Sequence, residues 1–209
     1  MILVWGFKVR FKTLLQAMFF CPTCGGDRRY ERKQGRRWFT FFFIPIIPLN
    51  HVGDEFVECT TCHQAYKPSV LDMPTTATLS SDLTLASREA VVWLLRSTPV
   101  VDPAAARVAL EVLSTAANRQ WTDAELQHDL GTLEVGGLPQ RLGALATVLN
   151  EHGRETFLGS CVRVAAAGSG GTVNDAQRGL LDSIAGSLGM TPAHARGVIA
   201  QTEEQARLQ

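Results

Sequence analysis

Four cysteines in two C-x-x-C pairs constrain this chain more than anything else in it: Cys21-Pro22-Thr23-Cys24-Gly25 and Cys59-Thr60-Thr61-Cys62. A C-x-x-C turn presents two thiolates from one tight bend, and two such turns brought together complete a tetrahedral shell. Pro22 presets the first turn, and Gly25 can take the positive φ that lets backbone N–H groups face the sulfurs. The spacing predicts one structural zinc ion held by Cys21, Cys24, Cys59 and Cys62. Iron in a rubredoxin-like site, two disulfides and four inert thiols are the alternatives. All four ligands are thiolates, so no position is left for a catalytic water. His51 and His63 lie close in sequence, but the shell is already full and they read as exposed loop residues. The fifth cysteine, Cys161, reads as a buried core thiol on an apolar helical stretch.

Charge and aromatic content divide the chain in two. The formal net charge is zero, yet residues 1–72 carry ten Lys/Arg against six Asp/Glu, and the remainder carries ten against fourteen. Beyond residue 72 the aromatics are Trp93, Trp121 and Phe157. The early apolar stretch is broken by Lys8, Arg10 and Lys12 and is followed by no small-residue cleavage site, so it does not read as a secretory leader. We expect a cytoplasmic protein, with peripheral attachment to the inner face of the membrane as an option.

The N-terminal part reads as a small all-β unit. Phe7, Val9 and Phe11 alternate with Lys8, Arg10 and Lys12, the period of a half-buried strand. Gln34-Gly35 suggests a turn. Trp38 to Ile44 is a β-rich run stopped by Pro45 and Pro48. Asn50 to Asp54 reads as a loop and Glu55 to Glu58 as a short strand. The run Trp38–Leu49 is too short to span a bilayer. It reads as a core strand, or as a segment that inserts shallowly at a membrane interface with the help of Arg36 and Arg37. The basic residues Lys8, Arg10, Lys12, Arg36 and Arg37, with Arg28, Arg29, Arg32 and Lys33, are candidates for contact with an anionic surface, lipid or nucleic acid.

Pro, Ser and Thr then mark residues 73–82 as a linker, and residues 83–209 read as helices. Asp102-Pro103 is an N-cap followed by proline at the first helical position. Thr122 with Glu125 and Asn174 with Gln177 are capping boxes. Pro139 and Thr191-Pro192 open two further helices, and Gly189 closes one. Helices near Arg88–Arg96 and Thr156–Ala166 bring the total to about seven. Gly168-Ser169-Gly170-Gly171 precedes a helix but lacks the lysine of a phosphate loop, and reads as a connection between helices. The predicted fold class is multidomain α+β: an all-β ribbon over 1–72, a linker over 73–82, and an all-α bundle over 83–209.

Two resemblances add to this. The elements Cys21-Pro22-Thr23-Cys24-Gly25, Trp38-Phe39-Thr40-Phe41-Phe42-Phe43-Ile44-Pro45 and Cys59-Thr60-Thr61-Cys62 make residues 1–72 similar to a bacterial zinc-ribbon family. Residues 83–201, with Ile184-Ala185-Gly186-Ser187-Leu188-Gly189-Met190 at the clearest point, resemble TerB-like domains of the tellurite-resistance family. That resemblance implies a helical bundle and, through acidic positions of the family, metal binding. Those positions fall on Asn118, Glu125, Gly170 and Gln177, of which Glu125 alone is a carboxylate, too few anions for a hard cation. The combined expectation is a non-enzymatic zinc-binding adaptor or scaffold in a tellurite, chemical or envelope stress response, with a protein partner for the helical part and no small-molecule substrate. The alternative is a nucleic-acid-binding ribbon protein.

Overall fold

The computed structural model describes residues 5–41, 44–168 and 170–208. The chain forms two units, Met1–Leu79 and Ser80–Gln209.

The first unit is an antiparallel sheet in the order β1-β2-β3-β4, with β1 over Trp5–Cys21, β2 over Gly26–Phe41, β3 over Ile44–Cys59 and β4 over Ala65–Tyr66. Three of these strands are much longer than the sequence suggests. Gln34-Gly35 is no turn: Gln34 pairs with Lys12 and Gly35 with Phe11, in mid-strand. Gly35 is needed for a different reason, since a Cβ there would stand 2.7 Å from the carbonyl oxygen of Val52. The stretch Asn50–Asp54, expected as a loop, belongs to β3, where the register against β2 shifts between Lys33 and Gly35 and Gly53 takes φ 75°. Pro45 and Pro48 do not stop a strand but sit inside β3, opposite Thr40 and Trp38. β4 covers β3 at Val57 and Glu58 only, so the prolines lie on an edge, where a missing N–H costs no ladder bond. Phe42 and Phe43 of the aromatic run lie outside the described residues.

A bulge between Thr13 and Leu15 changes the sidedness of the sheet. On one side of it, Phe19, Cys21, Tyr30, Val57 and Cys59 form a buried cluster. On the other, Phe7 and Phe11 share a face with Phe39 and Gly35, which is the opposite face, because β2 alternates without interruption from Tyr30 to Phe39. Many large apolar side chains of this distal half stay exposed, Phe7 to 61% and Ile44 to 64%, while Trp38 and Phe39 are half-buried.

After a 3-10 turn over Pro68–Asp72, the first of seven described α-helices, α1 over Thr76–Arg96, begins inside the stretch expected as a linker. Its start is fixed from within the first unit: the Asp27 carboxylate accepts from the Thr76 and Ala77 backbone N–H groups at 2.8 and 3.3 Å, and these bonds hold its pKa below the ordinary 3.8, that from Thr76 most strongly. The second unit continues with α2 over Pro103–Ala117, α3 over Asp123–Thr132, α4 over Leu138–Ala146, α5 over Glu151–Ala167, α6 over Asp175–Ser187 and α7 over Pro192–Arg207. Asp102, Thr122, Asn174 and Thr191 cap as expected, the middle two as full capping boxes. Gly189 closes α6 with φ 70°. Helix α5 starts earlier than expected because Asn150 accepts from Gly153 N. It is the central helix, burying Phe157, Leu158, Cys161, Val162 and Val164, and it packs on α2, α6 and α7. Burial raises the Cys161 thiol to about 12, in keeping with an inert core residue. Ser169 of the glycine-rich connection is outside the described residues. Gly170 and Gly171 take φ 65° and 88°.

Candidate metal centre and sheet surface

The two C-x-x-C turns are built alike. Cys21 ends β1 and Cys59 ends β3. Cys21 O accepts from Gly25 N at 2.9 Å and Cys59 O accepts from His63 N at 3.0 Å. The residue that closes each turn is left-handed: Gly25 at φ 65° and His63 at φ 57°. The first of these was legible from glycine chemistry, while the second, in a histidine, carried no sequence signal. Thr60 ties the second turn to β2, its backbone N–H and its hydroxyl each donating to Arg29 O at 3.0 Å.

These turns bring the four sulfurs of Cys21, Cys24, Cys59 and Cys62 within 4.8 Å of one another, and all are free thiols. Cys21 Sγ and Cys62 Sγ are 3.8 Å apart. A tetrahedron with metal–sulfur bonds of about 2.3 Å has edges of about 3.8 Å, so the set fits a thiophilic tetrahedral ion with little rearrangement. Cys21 and Cys59 are fully buried beside Phe19, Tyr30 and Val57, with Val70 and Leu71 packed against the cluster. The edge-on contacts of Phe19 with Tyr30 and with Tyr66, at 5.4 and 6.0 Å, complete this apolar seat.

The Tyr66 hydroxyl lies 2.6 Å from Thr23 Oγ1 and 3.4 Å from Cys21 Sγ. With Cys21 as a thiolate its one proton goes to the sulfur, and it accepts from the Thr23 hydroxyl. Burial pushes the Cys21 thiol up, but the Tyr66 hydroxyl, the Cys24 backbone and the neighbouring thiols outweigh it and bring it down to about 6. Cys24 moves the other way, to about 12, through burial and then through the thiols of Cys62, Cys21 and Cys59. His51 and His63 are exposed and outside the sulfur cluster, as expected, although His51 lies in β3 rather than in a loop.

The candidate surface residues sort by face. Lys8 pairs with Trp38, Arg10 with Arg36 and Lys12 with Gln34, so Lys8, Arg10, Lys12 and Arg36 share one face of the distal sheet, all exposed. Arg37 lies on the opposite face, its guanidinium 5.7 Å from the Phe7 ring centroid. Arg32 and Lys33, nearer the sulfurs, are committed to ion pairs with Glu55 and with Glu31 and Glu58.

In the helical unit, the positions implied by the TerB-like resemblance serve the backbone. Asn118 is the left-handed C-cap of α2. Glu125 closes the α3 capping box and pairs with Arg119 at 2.7 Å. Gln177 closes the α6 capping box and is buried. Among the described residues one other trio has metal-compatible spacing, Glu151, Glu155 and His194. There His194 Nε2 is 2.7 Å from Glu155 and His194 Nδ1 is 3.6 Å from Glu151, so the two carboxylates hold opposite edges of one ring. Sequence reading did not find this trio, whose members are far apart in the chain.

No described helix is long and apolar enough to cross a membrane. No curated protein and no solved structure matches the chain. Residues 19–86, which hold both turns and all four sulfurs and end inside α1, match the model of a zinc-ribbon family.

Proposed function

We propose that this chain is a non-enzymatic adaptor that uses one structural zinc ion to hold a long β arm, with the distal end of that arm as a docking surface and the helical unit as a protein-binding module. The observation that carries the reading is the combination of a closed set of four sulfurs with a distal sheet whose large apolar side chains are left exposed. A four-thiolate site stabilises the fold and offers no open coordination position, so the chemistry of the site is architectural. Zinc is favoured over iron by the family that residues 19–86 match. The TerB-like resemblance of the helical unit is what supports a role in a chemical or envelope stress response, tellurite included.

The ion is tested by elemental analysis of the purified chain, expected to give one zinc per chain; iron, or no metal with paired thiols, overturns the assignment. The docking role is tested by hydrogen exchange of the full chain with soluble and membrane fractions of cell extract. Slowed exchange at the distal ends of β1–β3 with one of these fractions supports it, and unchanged exchange with both overturns it. A second reading, nucleic-acid binding, is favoured by one observation: Trp38 lies among Lys8, Arg10 and Arg36 on one face, as a stacking ring among phosphate-binding cations would. Binding to random DNA or RNA that falls steeply with salt would support it.

A further inference from the structure

The order of residues along the sheet, read rung by rung from its far end, is specific. The outermost described rung joins Trp5, Phe41 and Ile44. The next joins Gly6, Thr40 and Pro45, and the third joins Phe7, Phe39 and Ile47. None of these residues is charged. Then the cations begin. Lys8 stands beside Trp38, Arg37 beside Val9, and Arg10 beside Arg36, with Lys12 after them. Residues 5–18 and 34–52 contain no Asp or Glu. An uncharged apolar end is thus followed by a band of cations and one tryptophan.

We propose, building on the docking-surface reading above, that this end of the sheet inserts into the interface of an anionic lipid membrane, with the cation band at the depth of the lipid phosphates. Three rungs at about 3.4 Å each span about 10 Å, which matches the depth of about 5–10 Å that interfacial elements reach below the headgroups. Tryptophan at the apolar–polar boundary is the usual membrane-interface position. Open sheet edges are not tolerated in hydrocarbon, so insertion stops at the interface. Pro45 helps here, because it removes one N–H that the inserted β3 edge would otherwise have to desolvate.

Charge decides between occupants. Two copies packed end to end would cover the apolar rungs but leave both cation bands without a counter-charge, because the adjoining strand segments carry no acid. Nucleic acid would use the cations but would leave Ile44, Ile46 and Ile47, all more than half exposed, still in water. An anionic bilayer accommodates both features.

The experiment uses full-length zinc-loaded protein and phosphatidylcholine vesicles with and without phosphatidylglycerol. Co-sedimentation with the anionic vesicles is expected, weakening as salt is raised. Replacing Lys8, Arg10 and Lys12 together by Gln should lower the affinity about a hundredfold at low salt. Ile44→Ser and Ile47→Ser should each lower it about tenfold at every salt concentration. These side chains are exposed, so zinc content and circular dichroism should be unchanged in all variants, which separates lost binding from lost folding. Hydrogen exchange on the vesicles should slow at the distal sheet.

Failure to bind anionic vesicles overturns the proposal. So does slowed exchange confined to the helices, or binding to random DNA with none to vesicles. Dimerisation abolished by Ile44→Ser would assign the apolar end to a second copy and overturn it as well. Slowed exchange at the distal sheet with soluble extract but not with vesicles would sink the lipid assignment and leave the docking-surface reading standing.

Discussion

The hydroxyl of Tyr66 lies 3.4 Å from the sulfur of Cys21. The short fourth strand thereby delivers a hydrogen-bonding group to the metal-binding cluster from outside the four cysteines. Groups that hydrogen-bond to metal ligands typically contribute a factor of about 10–100 to metal affinity. Tyr66→Phe keeps the ring packed on Phe19 and removes only the hydroxyl. We expect zinc affinity, measured by competition with a chromogenic chelator, to fall about tenfold, with the melting of the zinc-free chain little changed.

Metal removal should act on one unit and spare the other. The sulfur cluster belongs to a small core of its own, and the helices have a separate one built on Val91, Leu113, Leu126 and Val164. Structural zinc contributes on the order of 10–16 kcal/mol of apparent binding free energy to folding. Chelation, or Cys59→Ser, is expected to broaden the amide NMR signals of the sheet while those of α2 to α7 keep their positions. Loss of helical dichroism in parallel would show the helices to depend on the metal.

Gly35→Ala should loosen β2 from β3. The new methyl would meet the Val52 carbonyl, which is backbone and cannot rotate away. Overpacking of this kind costs about 1–3 kcal/mol. The expected result is faster hydrogen exchange around the register shift and beyond it, with zinc content retained, because the sulfurs lie on the other side of the shift.

Asp129 is buried, and both its oxygens accept from Arg88, at 2.8 and 2.6 Å, a pairing that also raises the pKa of Arg88. Arg88 in turn lies over the Trp121 ring at 5.2 Å. Removing one partner of such a pair leaves the other uncompensated, at a cost of about 3 kcal/mol. Asp129→Ala should therefore lower the thermal midpoint of the helical unit by several degrees, and Asp129→Asn by less.

The α3 cap should be sensitive to acid. The Arg119 side chain, then the Thr122 backbone and hydroxyl, lower Glu125 from 4.5 to about 2. A depressed carboxylate stabilises the fold fully above its unfolded pKa. That contribution is lost as the pH falls from 4.5 toward about 2. Glu125→Gln should flatten the acid limb of the helical unit's stability in that window and leave its slope near neutrality unchanged. An identical acid limb in wild type and variant would rule the cap out as its source.

The sequence was most readable where the chemistry is local. The paired cysteines, the Asp102 and Thr191 caps and the two capping boxes act over a few residues, and each stands where its motif put it. What depends on distant partners was hidden. In β1 every odd position from Phe7 to Phe19 except Thr13 is apolar, which reads as one continuous face. The bulge after Thr13 moves the later ones to the other face, and only pairing with β2 reveals it. Gly35 beside Gln34 carries turn chemistry, yet its role is to admit the Val52 carbonyl. The start of α1 was placed too late. Thr75 caps it locally, accepting from Thr78 N at 3.1 Å, inside a Pro-Ser-Thr stretch that read as a linker. The carboxylate that holds its first two N–H groups, Asp27, stands 49 residues before Thr76. The apolar–cationic sequence along the distal sheet was present in composition, but its order in space required the register of three strands.

The Asp27 bond has a further consequence. Asp27 follows the first C-x-x-C turn by three residues and holds the opening N–H groups of α1. Metal occupancy and the fraying of that helix end therefore share one free-energy term. Disorder in the turn releases the carboxylate and leaves two helix donors to water, and the loss of a cap of this kind costs about 1 kcal/mol. The coupling runs equally in reverse. A partner that seized the first turn of α1 and displaced Asp27 would loosen the grip on the ion, so the exchange rate of the metal would report on whether that helix end is engaged.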